Sequence, residues 1–198
     1  EGAVWYEGSQ VIAFDIEDSY VDYTALRPAS DEEKADTPVL FVAAMKPQVD
    51  ELTELVQSVG LEPRLVSVDA LALLEAAMQE HDAPETPCVV HIGATRTSIG
   101  AAREGGLPFV RDIDLAGNTY TNAIVESLGV TPEEAEEVKR RGLRHEEKAM
   151  VAVESVTRRL VGELARSLVY YQTRGEGKHV DTIYLCGGSS RIPGLDDA

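Results

Sequence analysis

Short apolar segments predict three strands in the first third of the chain. Residues 21–24 alternate apolar and polar side chains, Val-Asp-Tyr-Thr, as a half-buried strand does. The runs PVLFVAA (residues 38–44) and EPRLVSV (residues 62–68) are short and apolar, which also favours strands. The first ten residues, EGAVWYEGSQ, show neither a helical nor a strand period, so no element is predicted for them.

Two amphipathic helices are predicted in the same region. Pro47 suits the first turn of a helix, because the N–H that proline lacks has no acceptor there. Apolar residues then recur every three or four positions and predict one buried face, made of Val49, Leu52, Leu55, Val56 and Val59. Asp69 is predicted to cap a second helix, ALALLEAAMQEH, whose inward residues would be Leu71, Leu74 and Met78.

The remaining sequence predicts a meander, three helices and a last strand. The prolines of DAPETP separate it from the preceding helix. Residues 87–113 predict three strands joined by a small-residue turn and a glycine turn. Helices are predicted at 119–128, at 132–141 with a Thr131–Glu134 capping box, and at about 151–171. The final segment, HVDTIYLCGGSSRIPGL, predicts a buried strand, a double-glycine turn and the start of a helix.

Composition and charge narrow the classes of function. The chain has 198 residues, of which 43% are apolar and 27% charged, as in globular proteins with packed cores. Its formal net charge of -17 disfavours binding to nucleic acid or to anionic lipid. No apolar run is long enough to span a membrane, so direct membrane insertion of this chain is not expected. The chain starts at Glu1 without a signal peptide, and we expect it to be a fragment.

The two cysteines indicate a reducing compartment. Cys88 and Cys186 each lie in an apolar, strand-like run, and no histidine is spaced around them as in a zinc site. Two buried thiols that behave as small hydrophobic residues are favoured over a disulfide. This usage fits the cytoplasm.

Three short motifs carry candidate chemistry. The turn HIGATRTS offers Gly93, Ala94, Thr95 and Thr97, whose backbone N–H and hydroxyl groups can hold a phosphate. The segment CGGSS places Gly187, Gly188 and Ser189 after a buried strand, which leaves room for a flat ring. The segment AEEVK puts Glu136 and Lys139 on one helix face. Each motif alone also fits an ordinary turn or an exposed ion pair.

The order of these motifs resembles the second half of actin-like proteins, most closely the PilM family of type IV pilus machines. The elements run HIGATRTS, LAGNTYTNAI, AEEVK, a long helix and LCGGSSRIPGL. The N-terminal segment YEGSQVIAFDIEDSYVDYTAL is also similar to the family pattern, because it keeps Phe14, Asp22 and Tyr23. It departs from the pattern at Ala13, which replaces a proline. The resemblance covers nearly the whole chain and extends loosely to FtsA and GspL.

The resemblance implies an α/β, actin-like (ribonuclease H-like) ATPase fold in a fragment that lacks the first strands of lobe one. Residues 1–66 would be a small inserted, 1C-like subdomain, and residues 67–86 a helix from the first lobe. Residues 87–198 would form the second lobe with its phosphate turn and adenosine loop. ATP would contact Gly93, Ala94, Thr95 and Thr97 on the phosphate side, and Glu136, Lys139, Gly187, Gly188 and Ser189 on the adenine side.

Two departures from the family pattern weigh against hydrolysis. His91 stands where the family has an aspartate, and imidazole is a poor ligand for Mg²⁺, so magnesium binding is doubtful. We expect His91 to be a strand-end histidine bonded to a backbone carbonyl rather than a catalytic base. Ala116-Gly117 replaces a frequent Gly-Gly pair, and the extra methyl group would crowd a phosphate. No catalytic residue is assigned, and weak or absent hydrolysis is expected.

The resemblance implies a cytoplasmic adaptor that is recruited to the inner membrane through its partners. Those partners would be the cytoplasmic N-terminal tail of a PilN-like membrane protein and other pilus or secretion machinery. Three alternatives stay open: a GspL-type module of a type II secretion system, an active ATPase or kinase of the actin superfamily, and an unrelated α/β domain.

Overall fold

The structure, a computed structural model, describes residues 2–26, 38–79, 84–103, 106, 108–143, 146–174 and 179–195. Within it the chain forms two compact units, Glu1–Ser67 and Val68–Ala198. The first residues of the predicted DAPETP boundary lie outside the described residues. The assignment of 1–66, 67–86 and 87–198 to subdomains of an actin-like protein stays a prediction.

The first unit is a two-stranded hairpin with flanking helices. The strands β1 and β2 pair antiparallel from Ser19 opposite Met45 to Ala25 opposite Val39, which confirms both predicted strands. The elements in chain order are α1 (Gly2–Val11), a 3₁₀ helix (Ile16–Asp18), β1 (Ser19–Ala25), β2 (Val39–Met45) and α2 (Lys46–Ser58).

The sequence prediction for the first ten residues was wrong, because Gly2–Val11 form helix α1. Its contact with the hairpin is made through a glycine rather than through an apolar stripe. A Cβ on Gly8 would lie 2.5 Å from the Phe41 ring, so a larger residue would displace the ring from this position. Trp5 and Tyr6 are 44% and 70% exposed. Because the helix does not bury an apolar face, its sequence lacks the apolar period that would have predicted it.

Two further predictions for this unit were wrong. Helix α2 has Pro47 in its first turn as expected, but Leu52, Leu55 and Val59 are 59%, 65% and 70% exposed and the helix buries no residue. Residues 62–68 form no strand. A strand needs a neighbour to complete its hydrogen bonds, and no described strand lies beside this segment.

The second unit is built on a four-stranded sheet with the order β5-β4-β3-β6. The strands β3, β4 and β5 form the predicted antiparallel meander, and β6 joins β3 in parallel. The strands are β3 (Pro87–Ile92), β4 (Thr97–Ala101), β5 (Phe109–Ile113) and β6 (Thr182–Cys186). The helices are α3 (Asp69–Met78), α4 (Gly117–Leu128), α5 (Pro132–Arg141) and α6 (Glu147–Arg174).

Helices cover both faces of this sheet. Leu74 and Ala77 of α3 pack against Val89 on one face. Leu160 of α6 packs against Val90 on the other. A second apolar cluster joins the outer helices α4, α5 and α6 through Tyr120, Ile124, Ala135, Val138, Val153 and Val156. Because β3 is buried on both faces, its end at Ile92 is held firmly where the turn begins.

Helix ends in this unit follow local sequence signals closely. The Glu134 N–H donates to Thr131 Oγ1 and the Thr131 N–H donates to Glu134 Oε2, so the predicted capping box of α5 is confirmed. Asp69 is an exception, because Val68 is the N-cap of α3 and Asp69 makes no capping bond. The predicted helix after the double glycine is also absent from the described residues 187–195, where Pro193 and Gly194 (φ +77°) maintain turns.

Both cysteines are free thiols on neighbouring strands of the sheet. Burial raises the pKa of Cys88 to about 12 and raises the pKa of Cys186 as well. In the described part of the chain, no helix is both long enough and apolar enough to cross a lipid bilayer.

Candidate functional site

The β3–β4 turn presents free backbone donors at its tip. The Gly93 N–H donates to Arg96 O at 3.0 Å and closes the turn. The exposed Ala94 and Thr95 make no hydrogen bond through their N–H groups within the described residues. Two adjacent unpaired N–H groups and a threonine hydroxyl can together hold an anion. The structure places Gly93, Ala94 and Thr95 at this tip, and phosphate binding by them stays a prediction.

Thr97 does not share this exposure. It is 0% exposed, and its hydroxyl donates to Leu115 O at 2.6 Å. The prediction that Thr97 contacts a phosphate is corrected accordingly, because the residue is buried and its hydroxyl donor is already used inside the protein. Thr97 instead holds the segment before α4 against the first residue of β4.

The carbonyl groups of the turn connect three segments that are far apart in sequence. Gly93 O accepts from the Gly117 N–H at 2.9 Å and from Ser189 Oγ at 3.2 Å, and Ala94 O accepts from the Asn118 N–H at 2.7 Å. The Ser189 N–H also donates to Ile92 O at 3.1 Å. The turn, the start of α4 and the double-glycine turn thus form one junction, in which Ser189 fixes the turn.

Glycine is required at two points of this junction. A Cβ on Gly117 would overlap Ser189 Oγ and lie 3.1 Å from Gly93 O. Gly187 has φ +92°, and a Cβ there would lie 2.5 Å from Ile92 O. Gly188 differs, because a Cβ there would have no heavy atom within 4 Å and would point into open space. Ala116 is 1% exposed, with its methyl group packed inside the protein.

Glu136 and Lys139 form a partly buried network with the same junction. Lys139 Nζ lies 2.6 Å from Glu136 Oε2, 2.7 Å from Thr121 Oγ1 and 3.1 Å from Gly117 O. The three donors of the ammonium group are therefore all used. Thr121 Oγ1 lies 2.8 Å from Glu136 Oε2 and 3.1 Å from Gly117 O, and can donate to either.

This network corrects the interpretation of the pair as an exposed surface contact. The Lys139 side chain is only 9% exposed, although that of Glu136 is 45% exposed. Burial raises the pKa of Glu136, but hydrogen bonds from Lys139 and Thr121 and the charges of Lys139 and Arg140 outweigh it, so the pKa lies below its ordinary value. In this arrangement Lys139 supports the start of α4 and has no donor left for a ligand.

A cleft of about 410 Å³ lies beside the turn and contains acidic groups that the sequence reasoning missed. Asp69 from α3 and Asp112 from β5 line it together with His91, Thr95 and Arg96. Asp112 accepts from Arg96 Nη1 at 3.1 Å and from Ser98 Oγ at 2.7 Å. The turn sequence holds no carboxylate, but α3 and β5 bring two beside it.

The prediction that a backbone carbonyl satisfies His91 was wrong. The imidazole is half-buried and makes no hydrogen bond with the described residues. It lies between Ser98 of β4 and Cys186 of β6 in the sheet register and faces the same cleft. An unpaired imidazole at this position is available to a ligand.

The sequence reasoning also missed the central roles of Gly117 and Thr121. The sequence distinguishes Gly117 only through the alanine before it, and no motif includes Thr121. One signal was present, because the two residues are four apart at the start of a helix and so share one face. Their contact with the turn could not be inferred without the fold.

Comparison with known proteins identifies the family. The sequence profile of the type IV pilus assembly protein PilM family matches residues 1–198. The chain belongs to the PilM family. A chain of the solved PilM-PilN type IV pilus biogenesis complex is 30% identical, with a TM-score of 0.75 over 99% of this chain. This PilM-family chain spans 57% of the length of that solved chain.

More distant structures share the fold of this PilM-family chain. The ethanolamine utilization protein EutJ from Carboxydothermus hydrogenoformans is 22% identical, with a TM-score of 0.60 over 73% of this chain and 49% of its own. MreB5 of Spiroplasma citri bound to ADP is 16% identical, with a TM-score of 0.56 over 78% of this chain and 57% of its own. The expected actin-like fold is confirmed.

Proposed function

We propose that this PilM-family chain is a cytoplasmic adaptor of the type IV pilus assembly machine. It binds the cytoplasmic N-terminal tail of a PilN-like membrane protein and is recruited to the inner membrane by that contact. The observation that carries the proposal is the similarity to a PilM-PilN complex along 99% of the chain at 30% identity. Other pilus machinery proteins would assemble on the same adaptor.

A peptide titration tests this proposal directly. A synthetic peptide with the N-terminal sequence of PilN from the same organism is added to the folded chain, and binding is followed by calorimetry. We expect saturable binding at one site. A peptide of the same composition in scrambled order is the control, because it keeps the charge and removes the recognised order. If both peptides bind equally, or if neither binds to the folded protein, the adaptor proposal is wrong.

We also propose that the second unit binds ATP. The support is geometric. The N–H groups of Ala94 and Thr95 are unpaired at the tip of the turn, and the surroundings of Gly188 are open after β6. Ala94 and Thr95 would hold phosphate oxygens, and Gly188 would lie beside the base. Gly93, Thr97, Gly187, Ser189, Glu136 and Lys139 would keep these groups in place rather than contact the ligand.

The bound nucleotide would act as a structural ligand or a switch. Its triphosphate would supply negative charge to the turn, and its adenosine would fill the space beside the double glycine. Mg²⁺ would contribute little, because imidazole replaces the oxygen ligand that this ion prefers. The test is ATP binding with and without magnesium, measured on the wild type and on Thr95→Ala. Equal affinity of the two proteins would remove Thr95 from the site.

The secretion-system alternative has no observation of its own in its favour. The family match is with type IV pilus proteins, and a GspL-type function stays an untested prediction. An active ATPase or kinase is the enzymatic alternative. Asp69 and Asp112 beside the turn would supply the carboxylates that this alternative needs. An assay of phosphate release from ATP tests it.

A further inference from the structure

His91 carries a half-buried imidazole at the end of β3. Side chains along a strand alternate between the two faces of its sheet, and Val89 packs with α3 whereas Val90 packs with α6. His91 follows Val89 by two residues and so lies on the α3 face. Its ring makes no hydrogen bond or ion pair with the described residues. A neutral imidazole has one N–H donor and one acceptor, and burying them unpaired costs free energy, so a ligand contact is the use to consider.

The neighbouring strands and the double-glycine turn fix the position of this ring. In the register of the sheet, His91 lies between Cys186 of β6 and Ser98 of β4, which carries no charge. A Cβ on Gly187 would lie 2.7 Å from His91 Cδ2, so the edge of the ring is close to the backbone of this glycine. The imidazole is therefore beside the two turns that are proposed above to hold the phosphates and the base.

The imidazole and the donors of the β3–β4 turn share one cleft. His91 lines the cleft of about 410 Å³ together with Gly93, Thr95 and Arg96 of the turn. The Ala94 and Thr95 N–H groups make no hydrogen bond within the described residues. A phosphate that is held by the Thr95 N–H would therefore occupy the cleft that the imidazole lines.

The other titratable groups around His91 leave one uncompensated negative charge in this cleft. Asp69 begins α3 and forms no hydrogen bond or ion pair with the described residues. Arg96 of the turn lies 3.1 Å from Asp112 of β5, so these two charges compensate each other. Burial raises the pKa of the Cys186 thiol, which is therefore uncharged near neutral pH. A phosphate would add to the negative charge of Asp69 and so favour protonation of the imidazole.

The cations nearest the turn are already engaged with the protein. Lys139 directs its ammonium group to Glu136, Thr121 and Gly117 O, and Arg96 is paired with Asp112. Of the described residues that line the cleft, His91 is the one that can offer a positive charge with no acceptor yet in place. Imidazole changes its charge between about pH 5 and pH 8. A hydrogen bond from an imidazolium to a phosphate oxygen is about twice as strong as a neutral one.

Two other uses of His91 fit the structure less well. A metal site needs several ligands together, and in the described part of the chain no three His, Cys, Asp or Glu side chains are grouped in that way. A general base is oriented by a third group that bonds its second ring nitrogen, and no described residue bonds His91. A contact with a ligand phosphate requires neither arrangement.

We propose that His91, in its protonated form, donates a hydrogen bond to a phosphate oxygen of the bound nucleotide. This inference rests on the proposal that the second unit binds ATP. It makes His91 the cation of a site that accepts the triphosphate without a metal ion. Binding then takes up as much as one proton from solvent, because the phosphate favours the protonated ring. The affinity for ATP therefore rises as the pH falls through the range in which imidazoles titrate.

The test compares His91→Asn with His179→Asn. Asparagine keeps a polar side chain and removes the charge. His179 is the matched control, because it is exposed, contacts Gln172 and does not line the cleft. ATP is titrated into each protein in EDTA at several pH values, and calorimetry gives the affinity. The terminal phosphate of ATP itself titrates near about pH 6, but it does so equally for every protein, so the ratio of affinities isolates His91.

The ratio of wild-type to His91→Asn affinity should rise by about tenfold between about pH 8.5 and about pH 5.5. The ratio of wild-type to His179→Asn affinity should change by less than about twofold. Inorganic tripolyphosphate, which has the phosphates without the nucleoside, should show the same dependence on His91. Circular dichroism melts establish that each variant is folded, and His91→Gln is the second neutral variant.

Nuclear magnetic resonance of the wild type provides an independent readout. The ring resonance of His91, identified by its loss in His91→Asn or His91→Gln, should move toward its protonated position when ATP is added at constant pH. A resonance that does not move overturns the inference. So does ATP binding with the same pH dependence in the wild type and His91→Asn, although the nucleotide site itself would then stand. A dependence on His91 for ATP but not for tripolyphosphate overturns the phosphate contact. If ATP binds the wild type at no pH, both this inference and the ATP proposal are wrong.

Discussion

Lys139 stabilises the connection between the start of α4 and the β3–β4 turn in the candidate site. Its ammonium group holds Gly117 O at the start of α4, and the N–H of the same glycine holds Gly93 O in the turn. A buried charge is stable only when it is paired and hydrogen-bonded, and Glu136 and Thr121 supply both conditions. Removing Glu136 would therefore leave a buried cation without its counter-charge.

The first prediction concerns the pH dependence of Glu136→Gln. The pKa of Glu136 is below its ordinary value of 4.5, so its ionised form stabilises the fold at pH values above 4.5. This contribution is lost as the pH falls through the lower folded-state pKa. We expect Glu136→Gln to be less stable than the wild type above about pH 5 and the gap to narrow as the pH falls below about 4.5.

Urea unfolding at a series of pH values measures this gap. Glu137→Gln is the control, because Glu137 is an exposed residue of the same helix and the change in net charge is identical. A Glu136→Gln gap that persists unchanged at low pH would show that the carboxylate does not stabilise the network.

The second prediction concerns His91, whose imidazole is unpaired beside the turn. We expect His91→Asp to introduce a magnesium-dependent increase in ATP affinity of about tenfold, equal to about 1.4 kcal/mol. His91→Asn has nearly the same shape without the charge, and should show no such increase. Calorimetric titration of ATP with magnesium and with EDTA measures both. A magnesium effect of equal size in the wild type would mean that the imidazole does not limit metal binding.

At the scale of elements, the third prediction concerns the junction between the turn, α4 and the double-glycine turn. Gly117→Ala places a Cβ against Ser189 Oγ and Gly93 O, so we expect a loss of about 1–3 kcal/mol in the free energy of unfolding. Gly162→Ala in α6 is the matched control, because its Cβ meets no heavy atom within 4 Å. The control should gain about 0.5–1 kcal/mol, since alanine favours helix more than glycine does.

Chemical denaturation of the two alanine variants gives the sign of each change. Opposite signs are expected because a Cβ on Gly117 meets neighbouring atoms at the start of α4, whereas a Cβ on Gly162 meets none in the interior of α6. If Gly117→Ala were as stable as the wild type, the three segments would not be packed as closely as the structure has them.

Elements with complete local signals were predictable from the sequence, and elements that depend on distant contacts were not. Helix α5 carries its own start and stop in Thr131, Glu134 and Gly142, so its bounds were correct. Helix α1 packs through Gly8 against Phe41, a contact that leaves no periodic pattern. In the candidate site, the turn was visible because its small residues are contiguous. The network of Lys139 was not, because its acceptors come from α4.

At the scale of the whole molecule, nucleotide binding and hydrolysis make different demands. Binding needs the donors of the turn and the open space beside Gly188. Hydrolysis also needs a carboxylate that acts on the attacking water, and Asp69 and Asp112 are the acidic groups that line the described cleft. Asp112 is already bonded to Arg96 and Ser98, which leaves Asp69 as the less engaged of the two.

The last prediction is that the chain binds ATP without turning it over. At an ATP concentration of about 100 times the dissociation constant, we expect the free energy of unfolding to rise by about 2.7 kcal/mol, with no magnesium-dependent release of phosphate. Thr95→Ala is the informative variant, because Thr95 is exposed at the turn and its loss should weaken binding without unfolding the junction. Lys139→Ala is not suitable, because it breaks the buried network. Magnesium-dependent turnover that disappears in Thr95→Ala and in Asp69→Asn, with stability unchanged, would instead make this PilM-family chain an ATPase.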